Sequence, residues 1–191
     1  MQHNVVFGYH GCSRTLADSI LTGTEQHLLP SDSKAEWLGR GVYFWENNYQ
    51  RAMEWAQSHV VDDEPAVIGA IIVPGNCLDL LDSACLEALS IVAASFEEDF
   101  VERYGTLPEW NDDARGYHPY DCALINYFRE VWKDENAGRI LNTVRGAFSE
   151  GRNIVHSSFA TQNHIQWAVL TPGESILGYF RPTRAMMMSR L

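Results

Sequence analysis

The stretch that most constrains this chain is Gly39-Arg40-Gly41-Val42-Tyr43-Phe44-Trp45-Glu46. Two glycines one residue apart permit a close backbone approach, and the apolar, aromatic run after them is typical of a short buried strand. Such a strand, opening on bare backbone, predicts a cleft in which Tyr43 stacks on a flat heteroaromatic ring. The alternative is a turn followed by a core strand whose tyrosine only packs, because short apolar runs are ambiguous.

Two other stretches belong with this one: His10-Gly11 near the start, and the segment 163–172 near the end. Together the three resemble the NAD-dependent ADP-ribosyltransferase superfamily, in the His-Tyr-Glu/Gln branch typified by the poly-ADP-ribose polymerases. That branch carries a strand ending in His-Gly, a Gly-x-Gly-hydrophobic-Tyr-Phe strand, and a late strand with a glutamate six residues before a proline. In this chain the last position is Gln166, six residues before Pro172, so glutamine replaces glutamate.

The resemblance implies an α+β ADP-ribosyltransferase fold, with two packed antiparallel or mixed sheets around an NAD cleft. NAD is then the co-substrate. By resemblance, His10 binds the ribose on the adenosine side, and Gly11 offers backbone groups to the nicotinamide amide. Tyr43 stacks on the nicotinamide ring, and Gly41 lies in the glycine pair beside it.

Further cofactor contacts are implied at positions where the match is looser. Trp55, or Tyr49, is expected to form the opposite wall of the ring site. The position that matches the second aromatic residue of the family is occupied by Glu54 in this chain. Ser13 and Arg14 are candidates for contacts to the diphosphate. Ser13 is explained equally well as a helix N-cap.

Gln166 determines the expected chemistry. A neutral amide can hold a ribose hydroxyl, but it cannot accept a proton as a carboxylate does. We therefore expect transfer of a single ADP-ribose and no chain building. On a strand His164 shares a face with Gln166 and is a candidate base; the alternative is an exposed strand residue. Glu150 and Glu46 are other candidates that the sequence does not rank. The predicted catalytic set is Gln166, Tyr43, His10 and His164.

The length of 191 residues and the 46% hydrophobic content predict one domain over residues 1–191. No apolar run approaches the ~20 residues that span a membrane, and we recognise no secretory signal in the first residues. The four cysteines show no zinc spacing, so we expect no metal site and reduced thiols in a cytoplasmic protein.

The net charge of −11 is unevenly distributed. Residues 1–60 carry −2, residues 61–135 carry −13, and residues 136–191 carry +4. The acidic part coincides with a predicted helical insertion at about 78–135. The basic part leaves RNA or DNA open as an acceptor, since phosphate contacts are mainly cationic. Its arginines include Arg139, Arg145, Arg152, Arg181 and Arg184.

Periodicity and turn residues predict the elements. The predicted helices are Arg14–Leu21 (capped by Ser13 and closed by Gly23), Tyr49–Val60, Leu81–Tyr104 (capped by Asp82 or Ser83) and Asp121–Lys133. The predicted strands are Val5–Tyr9, Gly39–Glu46, Ala66–Val73, Ile140–Phe148, Ile154–Val155, and a hairpin of Ile165–Leu170 with Ser175–Phe180. A tail with Met186-Met187-Met188 is expected to be disordered or to contact a partner.

These features predict a cytoplasmic mono-ADP-ribosyltransferase that uses NAD, of the kind found in bacterial toxins or phage-defence effectors. Its acceptor is a macromolecule, protein or nucleic acid, and a protein antitoxin is an expected partner. No membrane partner is expected. Two alternatives remain: an RNA 2′-phosphotransferase of the same fold, and an inactive NAD-fold binding module in which Gln166 marks lost catalysis.

Overall fold

A mixed sheet of seven strands runs through the part of the chain described by the computed structural model, residues 5–31, 33, 36–112 and 116–183. Its strand order is β4-β5-β6-β2-β1-β3-β7, and β4–β5 is the parallel pair in it. The strands are β1 Val6–Ser13, β2 Val42–Glu46, β3 Pro65–Ile72, β4 Cys77–Asp79, β5 Thr143–Phe148, β6 His164–Val169 and β7 Ile176–Phe180. The helices are α1 Arg14–Thr22, α2 Tyr49–His59, α3 Ser83–Tyr104, α4 Pro119–Glu135 and α5 Pro172–Ser175.

This architecture confirms the α+β class, but the prediction of two packed sheets is wrong, because the strands form one sheet. Strand β2 hydrogen-bonds to β6 along one edge and to β1 along the other, which joins all seven strands into one sheet. The β1–β2 ladder is short, with the pairs Gly8–Glu46 and Tyr9–Trp45. The sheet is therefore continuous but weakly joined at its centre.

Helix termini follow the predicted capping residues. The Ser13 hydroxyl accepts a hydrogen bond from the Leu16 N–H at 3.2 Å, and Gly23 ends α1 with φ 78°. Asp82 caps α3 through the N–H groups of Ala84 and Cys85. Short polar side chains accept from the first unpaired N–H groups of a helix, which is why these boundaries were readable from the sequence.

Alternate residues of each strand point to opposite faces of the sheet. We call one the Phe44 face; it also bears His10, Cys12, Glu46 and Trp167, and it packs mainly against α1. We call the other the Trp45 face. It is covered by α2 beside β1 and by α4 with the loop before β2 beside β5 and β6. Its residues include Tyr9, Gly11, Tyr43, Trp45, Gly146, His164 and Gln166.

The acidic middle of the chain forms the long helices α3 and α4, which pack against each other. Phe96 of α3 is fully buried, while most of the other α3 residues remain partly or fully exposed. Helix α4 starts at Pro119, two residues before the predicted start, because proline is tolerated in the first helical turn.

The predicted hairpin of the last two strands was wrong. Strand β7 pairs with β3 at the far edge of the sheet, and α5 lies between β6 and β7. Both edges of β6 are already occupied, by β2 and β5, so no edge remains for β7. The predicted strand Ile154–Val155 is also absent: both residues are exposed, and the neighbouring Asn153 makes a single bridge to Ala160. Strand β4 was not predicted.

Within the described ranges, no helix combines the length and apolar character that crossing a membrane requires. The same ranges hold no group of three or more His, Cys, Asp or Glu side chains placed to bind a metal ion. The methionine-rich tail and Arg184 lie outside the described residues.

Candidate active site

The sheet opens between β1 and β2. Strand β1 pairs with β3 from Val6 to Ser13, but its ladder with β2 ends at Tyr9–Trp45. The Asn47 N–H donates to the Phe7 carbonyl at 2.9 Å, so the peptide groups of alternate residues from Phe7 onward face β2. The next such residue after Tyr9 is Gly11. Its N–H and C=O therefore point into the opening, without a ladder partner on β2.

His10 lies at the same opening, with its ring on the Phe44 face. Its Nδ1 is 2.7 Å from the carbonyl oxygen of Tyr43, and its ring centroid is 5.8 Å from that of Phe44. A carbonyl only accepts, so Nδ1 carries the hydrogen and Nε2 keeps a lone pair. Burial lowers the pKa of His10, which keeps the ring neutral at pH 7. The imidazole therefore presents an acceptor nitrogen next to Gly11, whose peptide groups have no ladder partner on β2.

Gly11 is required by packing on its other side. A Cβ at this position would lie 2.2 Å from the Ala52 carbonyl oxygen of α2. The helix backbone thus sits directly on β1. This close packing fixes the peptide plane of Gly11 at the opening.

The glycine pair before β2 has a structural explanation. Gly39 has φ 78°, which favours glycine, and a Cβ there would lie 2.8 Å from Ile125 of α4. A Cβ on Gly41 would lie 3.1 Å from the Val169 carbonyl oxygen of β6. These glycines admit α4 and β6, so close packing alone explains the pattern. Strand β2 accordingly begins at Val42, not at Gly39.

Tyr43 is buried, with 8% of its surface exposed. Its hydroxyl donates to the Gly39 carbonyl and accepts from the Leu38 N–H, each at 2.8 Å. Burial, and then the nearby Glu36 carboxyl, raise the pKa of Tyr43 well above its ordinary value. The ring packs in the core of the Trp45 face, as in the alternative interpretation of this strand, and does not line an open cleft.

Gln166 lies on β6 opposite Trp45 and shares the Trp45 face. Its Oε1 accepts a hydrogen bond of 2.6 Å from the indole N–H of Trp37, a residue of the loop before β2. Gln166 is half-buried. The amide is therefore held at one end by a contact that the sequence did not predict.

His164 shares this face and is 7% exposed. Its Nδ1 lies 2.7 Å from the Gln162 carbonyl, so the hydrogen is on Nδ1, and Nε2 is buried without a hydrogen-bond partner. Burial lowers the pKa of His164, with a smaller contribution from the charge of Arg51. A neutral ring with a free lone pair can accept a proton. His164 also lines an open pocket of about 370 Å³, with Ala147, Phe148, Ser149, Asn163 and Ile165.

Trp45 sits next to His164, with 6.2 Å between ring centroids, and its buried Nε1 also lacks a hydrogen-bond partner. Trp55 lies 6.2 Å from Trp45 and stacks on His59 at 4.3 Å. Trp55 therefore borders the Trp45–His164 pair instead of facing Tyr43. The other predicted wall residue, Tyr49, packs edge-on against Tyr9 at 6.0 Å.

A charged cluster next to His164 was missed by the sequence analysis. Arg51 of α2 binds Glu54 at 2.7 Å and Glu150 at 2.6 Å, and its side chain is 12% exposed. Spacing on α2 indicates the contact with Glu54. No sequence signal indicates the contact with Glu150, which is 99 residues away. This cluster places a candidate base, Glu150, beside His164, but engaged in an ion pair.

Three other candidates lie elsewhere. Ser13 caps α1, and the Arg14 guanidinium binds Glu64 at 3.2 Å on the surface. Glu46 lies on the Phe44 face, where its carboxylate accepts from Trp167 at 2.7 Å and from Arg145. Glu46 is therefore committed to a structural cluster and turned away from Gln166.

Comparisons of the chain with protein-family models, with curated proteins and with solved structures found no match. The function must therefore be inferred from the residues and their geometry.

Proposed function

We propose that the protein is an NAD-dependent mono-ADP-ribosyltransferase that transfers ADP-ribose to a macromolecular acceptor. The observation that best supports this proposal is the opening between β1 and β2, where the peptide groups of Gly11 lack a ladder partner on β2 and lie beside the neutral His10. A carboxamide has one donor group and one acceptor group, which match the C=O and N–H of a single glycine. Gly11 then holds the nicotinamide amide, and His10 Nε2 accepts a hydrogen bond from a ribose hydroxyl.

The reaction requires little covalent chemistry from the protein. The bond between the nicotinamide nitrogen and the ribose C1 breaks, and its electron pair leaves with nicotinamide. Positive charge develops on the ribose as in glycoside cleavage, and the amide of Gln166 fixes a ribose hydroxyl. The acceptor atom then bonds to C1 and gives its proton to His164 Nε2. Neutral Gln166 does not replace the glutamate that supports chain extension in the family, so one ADP-ribose is transferred.

We place this activity in the cytoplasm, since all four cysteines are free thiols, which suits a reducing compartment. An enzyme that consumes NAD and modifies macromolecules harms the cell that makes it. A role as a toxin or phage-defence effector, held in check by a protein antitoxin, is therefore part of the proposal. The acceptor is a protein or a nucleic acid.

One observation favours a second function, an inactive NAD-binding module. Tyr43 is buried and Trp37 covers Gln166, so the ring site is closed on two sides. An RNA 2′-phosphotransferase fits less well, because it needs several arginines for phosphate, and many arginines of the described residues are in ion pairs. These are Arg14, Arg51, Arg103, Arg145 and Arg181.

The test is to incubate the purified protein with NAD and measure nicotinamide release. Labelled NAD is then added to a whole-cell lysate, and the labelled product is treated separately with protease and nuclease to identify the acceptor class. A binding module binds NAD and releases no nicotinamide. A 2′-phosphorylated RNA substrate distinguishes the phosphotransferase.

Variants assign the roles. We expect Gln166→Ala to lower both NAD hydrolysis and transfer, because it removes the contact to the ribose. We expect His164→Ala to spare hydrolysis and lower transfer, because the proton that His164 accepts comes from the acceptor. Equal loss of both activities in His164→Ala would contradict its role as the base.

A further inference from the structure

Trp37 contacts Gln166 in a way that determines how the amide is presented. The indole N–H of Trp37 donates to Gln166 Oε1 at 2.6 Å, and the indole ring lies 4.9 Å from the ring of Phe148. The two residues are 129 positions apart in the sequence. Within the described part of the chain, the Gln166 side chain makes no other hydrogen bond.

A glycine of the sheet makes room for the Trp37 indole. Gly146 of β5 is the direct neighbour of Gln166 in the ladder. A Cβ on Gly146 would lie 2.5 Å from Cη2 of Trp37. Glycine at this position therefore leaves the space that the indole fills, directly beside the amide.

The turn that carries Trp37 is anchored on both sides. The Gly39 N–H donates to the Glu36 carbonyl at 3.0 Å, and the Leu38 N–H donates to the Tyr43 hydroxyl at 2.8 Å. Leu38 is fully buried. These contacts hold the indole against β5 and β6.

An indole N–H can donate but cannot accept, so the amide atom that it contacts must be the oxygen. The NH₂ group of Gln166 is then the part left for a ligand. We propose that Trp37 is a positioning residue that fixes this orientation, so that Gln166 donates to a hydroxyl oxygen of the nicotinamide ribose. This inference rests on the proposed function. Without Trp37 the amide can rotate and present its oxygen instead, which binds the hydroxyl in a different geometry.

The test is a double-mutant cycle that combines Trp37→Phe with Gln166→Glu. Phenylalanine keeps an aromatic ring against Phe148 and removes the N–H. A carboxylate has two equivalent oxygens, so a half-turn of the group leaves it unchanged. Glutamate therefore does not need Trp37 to fix its orientation. We expect Trp37→Phe alone to lower kcat for nicotinamide release about tenfold, with KM for NAD changed less than about threefold. In the Gln166→Glu background the same change should cost less than about threefold.

Equal losses in the two backgrounds would show that Trp37 is merely structural, and no loss in either would also overturn the proposal. A melting curve of each variant shows that the proteins compared are folded. Gly146→Ala is an independent variant that displaces the indole without altering it, and it should reproduce the loss of kcat.

A wild-type protein that releases no nicotinamide disproves the proposed function, not the role of Trp37. In that case, NAD affinity of the same four proteins is measured by calorimetry. Unequal effects of Trp37→Phe on Kd in the two backgrounds then support the positioning role, and equal effects overturn it. Nuclear magnetic resonance of the ¹⁵N-labelled amide reports the Trp37–Gln166 contact directly, as a shift of the Gln166 signals in Trp37→Phe.

Discussion

Trp45 and Glu46 are neighbours on β2, yet their side chains enter opposite surroundings. On the Phe44 face, the Glu46 carboxylate accepts from Arg145 Nε at 2.8 Å and Nη2 at 3.3 Å, and from Trp167 Nε1 at 2.7 Å. On the Trp45 face, the Trp45 Nε1 and the His164 Nε2 are buried without partners. The Glu46 carboxylate is therefore fully engaged in hydrogen bonds, whereas these two groups on the Trp45 face are not.

The difference indicates what each face does. Leaving a buried polar atom without a partner costs about 1–3 kcal/mol, so such atoms are uncommon unless they serve another purpose. The Glu46 cluster links β2, β6, β5 and β4, because Arg145 also binds Asp79 at 3.0 Å. We infer that the Glu46 cluster on the Phe44 face holds the strands together, whereas the Trp45 face, like His10 at the opening between β1 and β2, keeps free groups for a ligand.

The largest expected effect is on the Phe44 face. Arg145→Met would leave two carboxylates, Glu46 and Asp79, without their cation. Arg145 and Glu46 are 19% and 20% exposed, so solvent replaces the cation only in part. We expect a loss of about 2–4 kcal/mol in the free energy of unfolding, measured by urea titration. Activity per folded molecule should change little.

Arg103→Met is the matched control. Arg103 binds Glu130 at 2.7 Å, but both side chains are 57% exposed, so its loss should cost less than about 1 kcal/mol. Comparable losses of stability in the two variants would mean that the Glu46 cluster stabilises the protein no more than an exposed ion pair does. The contrast between the two faces would then be wrong.

Local sequence signals accounted for much of the fold. Ser13, Gly23 and Asp82 marked helix ends because capping depends on residues within one turn. The order of the last strands was not readable, because it depends on which sheet edges are free after β6 has paired with β2 and β5. Pro172 and Gly173 are typical of a hairpin turn, and here they belong to a short helix.

The residues of the candidate site show the same difference between local and long-range signals. His10 and Gly11 were predicted from a local motif, and the structure places both at the opening between β1 and β2. Trp37 and Arg51 were missed, since their contacts to Gln166 and Glu150 span 129 and 99 positions. Sequence spacing on one element carries no information about such contacts.

A matched pair of substitutions tests the contrast between the faces directly. Trp167→Phe would remove one donor from the partly buried Glu46 carboxylate and should lower the free energy of unfolding by about 1–3 kcal/mol. Trp45→Phe would remove a donor that has no partner and should cost less than about 1 kcal/mol, from the smaller ring alone. Urea titration of both variants measures the difference. A larger loss in Trp45→Phe would show that its N–H has a partner in solution.

Tyr43→Phe tests whether Tyr43 belongs to the core or to the ligand site. The substitution keeps the ring and removes the hydroxyl that bonds Leu38 and Gly39. We expect a loss of about 1–2 kcal/mol in the free energy of unfolding, since two hydrogen bonds are lost and the Leu38 N–H is left unpaired. Nicotinamide release per folded molecule should stay within about threefold. A fully stable variant with abolished turnover would show that Tyr43 belongs to the ligand site and not to the core.

The smallest effect is the dependence of stability on pH, and it sharpens the comparison because His10 and His164 lie on opposite faces of the sheet. Burial lowers the pKa of both His10 and His164 from 6.5. Above that value both rings are neutral in the folded and the unfolded chain, so they contribute no pH dependence. As the pH falls below 6.5 the unfolded chain binds protons that the folded protein does not, and stability decreases. The loss is at most about 1.4 kcal/mol per histidine for each pH unit.

Urea titrations of the wild type and of His164→Asn at pH 7.5 and pH 5.5 measure this term for the Trp45 face. Asparagine keeps a donor for the Gln162 carbonyl and cannot be protonated in this range. We expect the variant to lose less stability than the wild type between the two pH values. The Arg51 charge opposes protonation of His164, whereas Glu150 favours it, so Glu150→Gln should enlarge the loss in the wild-type background. Identical pH dependence in the wild type and His164→Asn would mean that His164 is protonated as readily in the folded protein as in the unfolded chain. Its role as a neutral base would then be untenable.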